Sequence, residues 1–124
     1  MIEPPTVSEA ELVETCGQLR LGVGTVRDLM DAFGGAVIYT QRPERPGLML
    51  SAVPDAGEWA AVFSSLERLG RFAGACAWQS MTGADLLDQI ETMAADVGVF
   101  LDLQDEHGIT IPPATAAEYR KETT

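Results

Sequence analysis

Asp102, Asp105, Glu106 and His107 crowd a short stretch with groups that could hold a metal or move protons. Carboxylates and an imidazole together suit a divalent cation. A catalytic zinc, however, draws on three protein ligands in which histidine is prominent, and His107 is the only histidine in the chain. These four residues therefore read as a polar hairpin turn with His107 exposed. Asp85, Asp88 and Glu91 recur at every third position on one helical face. Paired carboxylates do acid–base work where burial separates their pKa values. Here Asp85 falls in a first helical turn, where the helix dipole favours negative charge, and the other two read as a solvated stripe.

Ser64 and Ser65 lack a GxSxG elbow, and their only imidazole base would be His107. Ser64 reads instead as a helix cap, with Glu67 at capping-box spacing. Gly22-Val23-Gly24 has neither the third glycine nor the lysine of a phosphate loop, so it reads as a hinge between helices. Cys16 and Cys76 stand apart from any CxxC pattern and are expected as small buried thiols. No catalytic, cofactor-binding or metal-binding residue is assigned.

Residues suited to binding remain. Arg42 and Arg45 sit in a stretch stiffened by Pro43 and Pro46. Arginine grips a carboxylate or phosphate through two parallel hydrogen bonds. Trp59 and Trp78 are large apolar groups of a type enriched at interface hot spots, and Trp78 is the preferred interface residue.

The elements that must position these residues follow from capping and periodicity. Ser8 caps a first helix whose stripe is Leu12, Cys16 and Leu19. Thr25, with Asp28 three residues on, starts a second that carries Leu29, Met30 and Phe33 and stops at Gly34-Gly35 in the left-handed conformation. Strands are expected over 36–40, 48–53, 58–63, 75–81, 97–103 and 109–111, from β-branched or apolar content and the turns between them. The turn at Pro54-Asp55-Ala56-Gly57 makes the second and third an antiparallel hairpin, and Gln104 to Gly108 makes another. A helix after Ser64 turns Leu66, Leu69 and Phe72 or Ala73 inward. Another opens at Thr82 and buries Leu86, Leu87, Ile90 and Met93, and a last one covers 114–121. Intermixed helices and hairpins predict an α+β domain: a mixed, mostly antiparallel sheet with helices packed on it.

The chain has 124 residues, enough for one domain with its own core. Residues 1–7 read as a flexible tail and 8–124 as the domain. Nineteen acidic side chains against eight basic ones give a formal charge of −11, which argues against nucleic acid and anionic membrane as partners. Neither a signal sequence nor an apolar run long enough to span a membrane is present. Seven of the eight basic residues are arginine, Lys121 being the exception, and the composition suits a GC-rich bacterial genome.

From Thr25 to Pro113 the order of strands, caps and turns resembles the N-terminal domain family named after the enhanced serine sensitivity protein, SseB. Val37-Ile38-Tyr39, Ala61 to Glu67, Gly83-Ala84-Asp85-Leu86-Leu87, Val97 to Asp102 and Ile109 to Pro113 carry the likeness. The resemblance implies a cytoplasmic bacterial protein of mixed α and β structure, with relatives near type VII secretion genes, and it brings no reaction or cofactor. The expected function is a non-enzymatic interaction or accessory module, linked to secretion or to toxin neutralisation. Its partner is another protein, basic if the acidic surface steers it, or a second copy of the chain. The alternative is a small-ligand sensor using the Arg42 and Arg45 loop.

Overall fold

The central feature is a six-stranded sheet whose middle strand, β3 (Gly57–Phe63), pairs with three others. The computed structural model describes residues 7–93 and 96–123. The expected tail lies outside these residues except for Val7, whose amide donates to the Gly35 carbonyl in an isolated bridge beside Ala36.

Helix α1 (Glu9–Arg20) is capped by Ser8 and α2 (Val26–Gly35) by a Thr25–Asp28 capping box. Then follow β1 (Val37–Gln41), β2 (Leu50–Val53), β3, α3 (Leu66–Ala73), β4 (Trp78–Thr82), α4 (Gly83–Glu91), β5 (Val97–Leu101), β6 (Ile109–Ile111) and α5 (Pro113–Thr123). The strand order is β4-β1-β3-β5-β6, with β2 paired to the first half of β3. Among the named pairs only β3 and β5 run parallel; the others are antiparallel, as the two expected hairpins require. The structure is the expected α+β fold.

Alternation divides the strands between two faces. Ile38, Ala60, Val62, Val97, Val99, Leu101 and Ile111 point to one face and meet Leu12, Cys16, Leu29, Met30, Phe33, Leu86, Leu87, Ile90 and Ala116 of the helices in one core. Only α3 packs on the opposite face, laying Leu69 and Phe72 near Phe63, whose ring is 5.2 Å from that of Phe72. No helix among the described residues is long and apolar enough to cross a membrane.

Several boundaries shift for identifiable reasons. Ser65, not Ser64, caps α3 by accepting from the Arg68 amide, so the helix begins one residue later. Of the expected inward residues, Leu69 is buried, whereas Leu66 and Phe72 are about two-fifths exposed. Strand β4 starts at Trp78 rather than Ala75, because Gly74, at φ +70°, ends α3 and leads into a short link. Helix α2 runs through Gly34 and Gly35 and stops at an extended Ala36, which enters the sheet without a left-handed residue. Strand β2 begins at Leu50 and β5 ends at Leu101, so Leu103 is exposed.

Gly83 and Gly98, like Gly108 in the turn after β5, permit close approach. A Cβ on Gly83 would lie 2.0 Å from the Phe33 carbonyl oxygen, and one on Gly98 would enter the Trp59 ring at 2.3 Å. Backbone cannot step aside as a ring can. Gly83→Ala is therefore expected to destabilise the fold by roughly 3 kcal/mol and Gly98→Ala by about 1–2 kcal/mol, as read from urea midpoints.

Candidate functional site

The carboxyl ends of the two parallel strands bring together the residues richest in chemistry. Ser64 follows β3 and Asp102 follows β5, and the Asp102 amide extends the ladder by donating to the Val62 carbonyl at 2.9 Å. Asp102 then turns into the left-handed region at φ +52°, which aspartate tolerates better than most residues. Its fully buried carboxylate accepts from the Ser64 amide at 2.8 Å and the Ser64 hydroxyl at 2.7 Å. His107 Nε2 lies 2.6 Å from Oδ2, and because an ionised carboxylate can only accept, that nitrogen is the donor. The Asp105 amide donates to the Asp102 carbonyl, and the Gly108 amide to that of Asp105, closing the turn. Arg20 of α1 ties it down by donating to the Gly108 carbonyl at 2.8 Å.

Arg68 joins α3 to this turn. Its Nη1 donates to Ser64 Oγ at 3.2 Å and pairs with Glu9, while Nε lies 3.3 Å from Asp105 Oδ2 without the alignment of a hydrogen bond. Arg71 reaches the same Asp105 at 3.4 Å. Burial by itself lowers the Arg68 pKa; the hydrogen bond to Glu9 and the charges of Asp102, Glu9 and Asp105 more than offset this and hold it above the ordinary guanidinium value.

The arrangement differs from a nucleophilic triad in its order. The carboxylate stands between hydroxyl and imidazole, so the Ser64 proton is directed to Asp102 and not to a histidine base. Ligand atoms of Asp102, Asp105 and His107 lie within 4.8 Å of one another, a spacing a cation could span. Yet Asp102 already accepts three hydrogen bonds, and two guanidinium groups flank Asp105. The group works as an internal clamp joining β3, α3, β5 and the following turn. His107 is largely covered, correcting its expected exposure, and Ser64 serves the clamp and not the helix cap. Glu106 points outward. Asp85 lies in the first turn of α4, and Asp88 and Glu91 pair with Arg120 of α5.

The residues expected to bind fall into two places. Arg42 and Arg45 line one cleft of about 470 Å³ with Pro43, Glu44, Gly47 and Gln79. The Arg42 amide donates to the Ala77 carbonyl, and Gln79 Nε2 donates to the Gly47 carbonyl, so the loop is fastened to the start of β4. Neither arginine forms an ion pair among the described residues, in contrast to Arg27, Arg68, Arg71 and Arg120. Trp78 adjoins this cleft in sequence, is 46% exposed, and meets Tyr39 edge-on at 6.0 Å. Trp59 belongs elsewhere. It stacks on Phe100 at 4.5 Å over Gly98 and donates its indole N–H to the Ala56 carbonyl, a structural role on the half-covered face.

The clamp escaped sequence reading because Ser64 and Asp102 are 38 residues apart. Its one local signal is a polar residue directly after each apolar strand. Comparison of the chain with protein-family models, curated proteins and solved structures finds no match.

Removing the Asp102 carboxylate leaves the Ser64 amide and His107 without partners. Asp102→Ala is expected to cost about 3–5 kcal/mol and Asp102→Asn, which keeps an acceptor and tolerates positive φ, about 1–3 kcal/mol, by chemical denaturation.

Both cysteines are free, and Cys76 is half-buried. Burial, helped by the Asp102 charge, pushes the Cys16 thiol from 9.0 up to about 12. The native protein at about pH 8 should thus offer only Cys76 to a thiol reagent. A raised folded-state pKa stabilises below the unfolded value. This contribution is expected to be intact up to about pH 9 and to fade towards pH 12, a slope that Cys16→Ala removes.

Proposed function

We propose that this protein is a non-enzymatic interaction module that binds another protein through the surface around Trp78, Arg42 and Arg45. One observation carries the reading. In a chain of charge −11, two arginines that form no ion pair among the described residues line a cleft with Ala77 and Gln79, and between these two in sequence stands a half-exposed tryptophan at the start of an edge strand. Exposed tryptophan and unpaired arginine are the side chains most enriched at binding hot spots. The polar cluster elsewhere spends the Ser64 hydroxyl and the Asp102 carboxylate on internal hydrogen bonds.

A second reading has its own support: the shared cleft of Arg42 and Arg45 has room for a small anion. Melting curves with a panel of carboxylates and phosphates separate the two, since a ligand bound only by the folded state raises the midpoint.

Trp78→Ala decides the first reading. The variant is expected to keep its melting temperature within about 2 °C and lose a protein that the parent retains from native lysate. Equal recovery by both proteins overturns it.

A further inference from the structure

The outer edge of β4 is open. The Arg42 amide donates to the Ala77 carbonyl at one end of the β1–β4 ladder, and the Gly83 amide donates to the Ala36 carbonyl at the other. Both contacts continue the β1–β4 register, in which Thr40 faces Gln79 and Ile38 faces Met81. Hydrogen-bonded pairs alternate with non-bonded ones in an antiparallel ladder. Gln79 and Met81 therefore turn their backbone groups towards β1, and Trp78 and Ser80 turn theirs outward. Among the described residues no loop or side-chain hydrogen bond reaches those outward groups.

Natural edges are blunted by proline, charge or short length. The opposite edge, β6, is three residues long and runs straight into Pro112-Pro113. Strand β4, Trp-Gln-Ser-Met-Thr, has neither proline nor charge. A strand laid along it would continue past Trp78 beside the loop that holds Arg42 and Arg45, because that loop is fastened to Ala77 and Gln79.

Resting on the binding reading above, we propose that the occupant is an extended acidic segment of a partner protein. It adds as a strand to the outer edge of β4, its backbone pairing with Trp78 and Ser80 and its carboxylates meeting Arg42 and Arg45. Main-chain pairing supplies affinity in such strand addition, and flanking side chains supply specificity. The choice of an acidic segment follows from charge: Glu44 lines the same cleft, yet neither guanidinium group forms an ion pair among the described residues, and a carboxylate offers each a two-point contact.

The test uses the full chain labelled with ¹⁵N and a synthetic peptide of about eight residues alternating Val and Glu. Its controls are the same peptide with Lys for Glu, the Glu peptide N-methylated at every second residue in either register, and free glutamate. The Glu peptide is expected to slow amide exchange at Trp78 and Ser80 by at least about tenfold, while the three controls leave exchange there unchanged. Arg42→Ala with Arg45→Ala should weaken the peptide by about tenfold, more at low salt than at high. Ser80→Pro removes an outward N–H but no bond to β1, and should abolish binding with the fold intact.

Equal binding of the Lys peptide overturns the acidic partner, and equal binding of both N-methylated peptides overturns strand addition. Protection of Trp78 and Ser80 that grows with protein concentration alone assigns the edge to a second copy. No binding of the Glu peptide at millimolar concentration also overturns the proposal. A lysate protein that needs Trp78 yet still binds Ser80→Pro leaves the interaction module standing without strand addition; a protein indifferent to both changes ends both readings.

Discussion

A carboxylate sealed from water holds the two halves of the fold in register. Asp102 is fully buried, and a charge in that position is tolerated only when hydrogen bonds replace its lost hydration. The Ser64 amide and hydroxyl, together with His107, provide them. Meeting that demand places the carboxyl ends of β3 and β5 side by side. It also sets where α3 can begin, since Ser64 is committed to Asp102 and the cap passes to Ser65. The turn to β6 folds over the same group, and Arg68 and Arg71 close it from α3. Local geometry in four elements thus answers to one electrostatic requirement.

The sheet is covered unevenly. One face is filled by α1, α2, α4 and α5 and contains nearly all of the buried aliphatic side chains. The other receives only α3, held at one end by Arg68 and by Leu69 over the strands. Trp59 and Phe100 shield the centre of that face by stacking on each other. Towards β4 the cover runs out, and Trp78 and Val37 are left in contact with solvent. Surface that a small chain does not cover with its own elements is where a partner finds apolar area.

Much of the architecture was legible in the order of residues. Ser8, Thr25 and Thr82 each announce a helix by side-chain capping three residues ahead, a contact that needs no distant partner. The hairpins announce themselves through Pro54 to Gly57 and Gln104 to Gly108 between apolar runs. The core residues of α2 and α4 follow from helical spacing alone. Reading failed where two adjacent serines offered the same local chemistry, because a hydroxyl's local capping capacity says nothing of a competing carboxylate 38 residues away.

Caps, turns and periodicities act over a few residues, so the sequence by itself determined the elements, the α+β class and the shortage of basic groups. Pairing between strands is long-range, and it decided what those groups do. Only the tertiary structure turned His107 inward onto Asp102, set Trp59 onto Phe100 as part of the scaffold, and left Trp78 half-exposed on an edge strand. The physical reason is burial: a side chain's chemistry depends on which water-excluded partners surround it, and these arrive from distant parts of the chain.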